Sequence, residues 1–287
     1  MGKRKIFKIV FAILSIFLCV VFYELLGICV AYKKQPEVSN TTKKETKNGS
    51  WNECSENTER AVIIEKNPEA LLQRVRLIKN AKKEIILSTF AFQSDESGKL
   101  ILGALHDAAD RGVHIRLLVD GMESWIDMEG NPYFYGLSSH ENVEIKLYNK
   151  ANPLKPWKMM GRMHDKYLIA DGKRYILGGR NTYNYFLGDF PGHKNYDRDV
   201  LVVCDEPEKE NSVNQLLEYF ETIWEQEDSG YFHDNKKLAN RKSVKNAVLE
   251  LQNGYQKYFE ENKERICDTD YTDETFETEK IALVSNP

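Results

Sequence analysis

Six residues in one short stretch have the types and spacing for chemistry on a phosphodiester. His164, Lys166, Asp171, Gly178, Gly179 and Asn181 fit the pattern H-x-K-x4-D-x6-G-G-x-N. His164 and Lys166 are two apart, so on a strand they project to one face. An imidazole beside an ammonium suits a bound phosphate: the lysine neutralises the phosphoryl oxygens while the histidine attacks phosphorus. Gly178-Gly179 lets backbone approach a ligand closely. The Asn181 amide can donate to a phosphate oxygen. On this reading Lys166, Gly179 and Asn181 bind substrate.

The flanking sequence alternates strands and helices. Ala61–Glu65 reads as a strand. Asn67-Pro68 opens a helix in which Leu71, Leu72, Val75 and Ile78 repeat at helical spacing. Glu84–Phe92 is a β-rich strand, Gly98–Arg111 an amphipathic helix stopped by Gly112, and Val113–Val119 a strand closed by Asp120-Gly121. That succession implies parallel pairing. Val143–Leu147 is a further strand. Tyr167–Ala170 and Tyr175–Leu177 flank the turn pair Asp171-Gly172, a hairpin signal. Asp199–Cys204 is another strand, followed by helical patterns at about 208–226 and 236–265, an acidic turn-like stretch at 268–279, and a strand candidate at Ile281–Ser285. A strand this near the end either closes the sheet or opens a longer protein.

With these surroundings the segment resembles the phospholipase D superfamily, whose HKD signature and following G-[GS]-x-N match residues 164–181. Ala108–Asp120 resembles that family's helix–strand unit. Gly178–Phe186, with Tyr196-Asp-Arg-Asp199, resembles its bacterial cardiolipin synthase branch in particular. The resemblance covers roughly Ala61 to Pro287. It implies an α/β/α sandwich with a mixed sheet. It also implies a two-step reaction without metal or cofactor, through a phosphohistidine, in which a second histidine from another HKD copy protonates the leaving alcohol. Carried over, His164 is the nucleophile or acid, and Lys166 and Asn181 bind phosphate. Asp171 supports the HKD turn and counts with the catalytic set. A downstream carboxylate orients the histidine ring; Asp199 is the first candidate and Asp197 the second.

This chain carries one HKD copy. His106, His114, His140, His193 and His233 lack a lysine two positions on. The second half is expected from a homodimer partner or from further C-terminal sequence. His114 is expected to pack within its strand and His106 to sit at a surface or groove. His193 is a candidate for the pocket mouth, Asp120 for its border, and Pro153–Met160 for a covering or lipid-touching loop.

The N-terminus has a different character. Ile9 to Tyr32 is apolar except for Ser15 and Glu24, and 24 residues are enough to span a bilayer. The run is longer than a usual signal core, which favours an uncleaved anchor; Lys3, Arg4, Lys5 and Lys8 precede it and Lys33, Lys34, Lys43, Lys44 and Lys47 follow, and the short basic head places the globular part outside. A cleaved signal peptide and a lipoprotein-like Leu26–Cys29 box are the competing readings. Residues 1–34 therefore form an anchor, 35–60 a polar linker, and 61–287 a catalytic half-domain. The five cysteines are scattered with no CxxC pair, which supports neither zinc nor a disulfide framework. Beyond residue 34, 34 basic residues face 43 acidic ones, a formal charge of −9. That sign opposes a sequence-independent nucleic-acid binder. The expected substrate is a membrane phospholipid. A dimeric single-HKD nuclease and an inactive half-protein are the alternatives.

Overall fold

The computed structural model describes residues 2–33, 40, 43–44, 59–158, 160–204, 211–233, 235–278 and 281–283. The polar stretch between anchor and body lies largely outside these residues, as does Cys54.

Helix α1 (Lys3–Lys33) is followed by β1 (Glu59–Ile64), α2 (Asn67–Asn80), β2 (Glu84–Thr89), α3 (Glu96–Asp110) and β3 (His114–Asp120). Next come two short helices, α4 (Gly121–Asp127) and α5 (Pro132–Ser138), then β4 (Val143–Tyr148), β5 (Lys166–Ala170), β6 (Arg174–Gly178) and β7 (Asp199–Val203). The chain continues through α6 (Ser212–Trp224), β8 (Ser229–Tyr231), α7 (Lys242–Glu261), α8 (Lys263–Cys267) and β9 (Phe276–Thr278).

One mixed sheet runs β8-β4-β3-β2-β5-β6-β7-β1-β9 among the described residues. β2, β3 and β4 pair in parallel, as the strand–helix–strand succession requires, and the other neighbours pair antiparallel. Strand alternation divides the core into two layers. Ile85, Leu87, Ile115, Leu117, Leu168 and Leu201 point to the face covered by α2, α3, α5 and α7. Ile86, Leu118, Tyr167, Ile169 and Val202 point to the opposite face, where α6 contributes Val213, Leu216, Phe220 and Trp224. Each such side chain, fully buried, contributes about 1.5–3 kcal/mol. The result is the α/β/α sandwich.

Several predicted elements differ in detail. The 236–265 helix is interrupted at Asn262, whose φ of −123° and ψ of 17° separate α7 from α8. The outer strand beside β1 is β9, inside the stretch expected to be turn-like. Ile281–Leu283 form no strand; Ile281 and Leu283 instead pack on the α6 layer, and residues 284–287 lie outside the described set. His106 lines a groove with Gly136, His140 and Leu249, one of its two expected settings, and is itself largely buried, with its ring 3.0 Å from the Asp110 carboxylate. His114 is half-exposed and pairs with Glu144 at 2.9 Å.

α1 contains a 30-residue segment, Arg4–Lys33, whose most apolar 18-residue window has mean hydropathy 2.7, long and apolar enough to cross a membrane. Its last turns rest on the loop before β5. Tyr23 donates its hydroxyl to the Leu154 carbonyl at 2.8 Å, and Gly27 lies directly against the Pro156 ring, where a Cβ would collide. Glu24, Gly27 and Ile28 are the more covered positions of this region. Glu24 thus sits on the side nearer the body.

Candidate active site

Parallel β2 and β3 end at the sheet edge where antiparallel β5 and β7 begin and β6 ends. That edge gathers the chemistry. Lys166 is the first residue of β5 and pairs with Thr89, the last of β2. It is 6% exposed, and its ammonium donates to the His164 carbonyl at 2.6 Å. The exposed His164 side chain makes no hydrogen bond among the described residues, so its ring nitrogens face outward available. Phe90 positions it: the ring centroids are 4.6 Å apart, edge to face. The Phe90 ring also meets Lys166 Nζ at 5.4 Å and the Arg162 guanidinium at 4.9 Å from its centroid. Phe90 and Arg162 escaped the sequence reading; their signal was position alone, at a strand end and two residues before the histidine.

Asn181 is 7% exposed. Its Oδ1 accepts the Ala91 N–H at 3.2 Å. A backbone N–H can only donate, so this bond leaves the Asn181 amide N–H groups free to donate elsewhere. The segment is tied to the end of β2 by Thr182 N–H to the Ala91 carbonyl (3.1 Å) and Gln93 N–H to the Thr182 carbonyl (3.2 Å). At Gly179 the space left by the missing side chain is filled by the Asp197 carboxylate, so a packing need of its own accounts for this glycine.

Asp120 holds the approach to the histidine. It is 1% exposed and caps α4, accepting N–H groups from Met122 (3.0 Å) and Glu123 (3.2 Å). The same carboxylate accepts Arg162 Nε at 2.9 and 3.0 Å and the Met163 N–H at 3.1 Å. The two residues before His164 are therefore fixed to the end of β3. Asp120 borders the site as a positioning residue.

Two carboxylates counted with the catalytic set make structural contacts, and for Asp171 these are at the HKD turn it was expected to support. Asp171 occupies the hairpin turn at the far end of β5 with φ 55°, and its carboxylate accepts the N–H groups of Lys82 (2.8 Å), Lys83 (2.7 Å) and Glu84 (3.0 Å). It ties the hairpin to the start of β2 and is a structural residue, separated from His164 by the full length of the strand. Asp199 is 2% exposed and is paired with Arg74 at 2.9 Å and Arg180 at 3.2 Å, both buried. Its other oxygen lies against Gly178. That oxygen is buried and has no hydrogen-bond partner among the described residues. Asp197, the second candidate, lies on the Gly179 backbone and within electrostatic reach of Lys166. His193 sits outside this group, exposed, with its ring 5.5 Å from that of Tyr185.

The local field favours a neutral imidazole and a receptive lysine. Burial, then the Lys166 charge, lowers the His164 pKa below its usual 6.5. Burial also lowers the Lys166 pKa, opposed by Asp165 and Asp197. A desolvated ammonium gains most from an anionic ligand. Asp165 faces the other layer, where Tyr219 donates to it at 2.8 Å; burial raises its pKa.

Residues 74–224 match the family model described as cardiolipin synthase, PLD-like domain. An uncharacterized protein of Helicobacter pylori is 30% identical over 212 residues, 69% of this chain and 39% of that protein. Cardiolipin synthase C of Escherichia coli is 29% identical over 171 residues, 55% of this chain and 34% of that protein. The chain thus spans about two fifths of the length of the first of these relatives. The phosphatidylserine synthase structure from Haemophilus influenzae superposes with a TM-score of 0.50 at 18% identity, covering 77% of this chain and 48% of that one, a likeness of fold. With the family model covering more than half of the chain, His164, Lys166 and Asn181 included, the chain belongs to the phospholipase D-like family of the cardiolipin synthase type.

Proposed function

We propose that this chain supplies one half of a phospholipase D-type active site that acts on membrane phospholipid, with residues 1–34 as anchor, 35–60 as linker and 61–287 as the catalytic half. The observation that carries the reading is the His164–Lys166–Asn181 group: an unbonded imidazole with a lowered pKa, a desolvated ammonium, and an amide oriented to donate. His164 attacks phosphorus and the headgroup alcohol leaves, taking a proton from the histidine of the second half. A ring nitrogen then carries the phosphatidyl group until an acceptor alcohol or water displaces it. Lys166 and Asn181 stabilise the charge on the phosphoryl oxygens throughout. The second half comes from another copy of this chain or from sequence beyond Pro287.

The similarity to cardiolipin synthase C and the apolar α1 support transfer between lipids over hydrolysis of nucleic acid. The basic residues in the first turns of α1 favour a body on the outer side of the membrane. The test is full-length protein in phosphatidylglycerol vesicles with products read by mass spectrometry. Cardiolipin with free glycerol is expected. Phosphatidic acid alone indicates hydrolysis, and DNA cleavage without lipid turnover sinks the lipid reading. His164→Ala abolishes activity. Lys166→Met lowers kcat by about 100- to 1,000-fold, the usual cost of losing one charge-stabilising donor.

A further inference from the structure

Ten large apolar or aromatic side chains are exposed in the described residues after α1, and five of them flank the site edge: Trp125, Ile126, Leu154, Trp157 and Met160. Leu154, 77% exposed, is the second most exposed of the ten. Trp125 and Ile126 end α4, whose start is bound to Arg162 through Asp120 and Glu123. Leu154, Trp157 and Met160 lie on the loop that leads into His164. Asn149 holds this loop in shape through the Lys158 and Gly161 carbonyls, the latter at 2.7 Å. From 149 to 162 the sequence has four basic residues and no acidic one, in a body whose net charge is strongly negative.

The loop also meets α1. About 20 residues cross the hydrocarbon core, so a span beginning after Lys8 reaches its far boundary near Gly27. Gly27 is where the Pro156 ring rests on α1. Trp157, Met160 and Lys158 line a cavity with Val30, Ala31 and Tyr32 at the end of the helix. The apolar residues of the loop are thus at the depth of the membrane interface. Trp is favoured there, and lysine stems can extend to anionic headgroups.

We propose that this rim is a membrane-docking surface: Leu154, Trp157 and Met160, with Trp125 and Ile126, insert into the interface of the bilayer that α1 spans and hold the His164 edge at headgroup height. The proposal deepens the lipid reading, but the surface can exist whatever the substrate.

Full-length protein in phosphatidylcholine–phosphatidylglycerol vesicles provides the test. Lipids brominated near the top of the acyl chain quench tryptophans in the interface. In a Trp51→Phe background the protein is expected to be quenched, and adding Trp125→Phe with Trp157→Phe removes most of that effect; the remaining Trp224 is buried in the core. No change in the double variant overturns the proposal. So does quenching of Trp125 and Trp157 by aqueous acrylamide instead, or by neither agent, which would mean water or a second protein covers the rim. A second arm uses Leu154→Ser with Trp157→Ser, expected to slow turnover of vesicle lipid about tenfold through lost interfacial burial. Its rate on a soluble phosphodiester stays unchanged; equal loss on both substrates overturns the proposal. Bromine quenching without any lipid turnover leaves the rim standing and removes the lipid-substrate reading.

Discussion

At the scale of single residues, the site is defined by what surrounds two side chains. Burial and the Lys166 charge both disfavour imidazolium, so His164 stays neutral to lower pH than an ordinary histidine. The acid limb of kcat/KM should therefore fall below about 6.5. Lys166→Met removes the larger of the two cationic causes, Arg162 being the other, and the His164 ring pKa, followed by NMR, should rise; no movement would remove the lysine from the account. The two aspartates at the start of β7 separate just as clearly. Asp199→Ala leaves Arg74 and Arg180 buried without their counter-charge, a loss of about 3–5 kcal/mol read as a lower urea midpoint. Asp197→Asn should keep stability within about 0.5 kcal/mol yet displace the pH profile through Lys166. Nothing local in Asp197-Arg-Asp199 distinguishes the two. The distinction is made by Arg74, 125 residues away in the chain.

At the scale of elements, the long strands and helices were legible because their periodicity extends over enough residues to be read. β8 and β9 have three residues each, too few for an alternation to register. α4 and α5 passed unassigned although their start signals are present: Asp120 caps the first, and Asn131-Pro132 opens the second. The hairpin was read correctly from Asp171-Gly172, but the turn aspartate was grouped with the catalytic set because its partners, Lys82–Glu84, come from another strand. Asp171→Ala should cost about 1–3 kcal/mol in unfolding free energy while the folded fraction retains the His164 pKa. A collapse of activity with stability unchanged would return Asp171 to the chemistry.

At the scale of the whole molecule, one histidine cannot both attack phosphorus and protonate the departing alcohol. A strictly monomeric preparation should be inactive, and activity measured across a dilution series should fall with the oligomer if a second copy supplies the other half. The sheet limits how that other half can arrive. Its two outer strands, β8 and β9, are each three residues long in the described structure. Such stubs offer too few unpaired backbone groups to template another strand, a known protection against edge-to-edge growth. On the proposed two-half reading, the complementary half is expected to approach over loops and helix ends rather than through a continuous β-ladder at either described margin, through side-chain contacts that sequence change can tune without rebuilding the sheet.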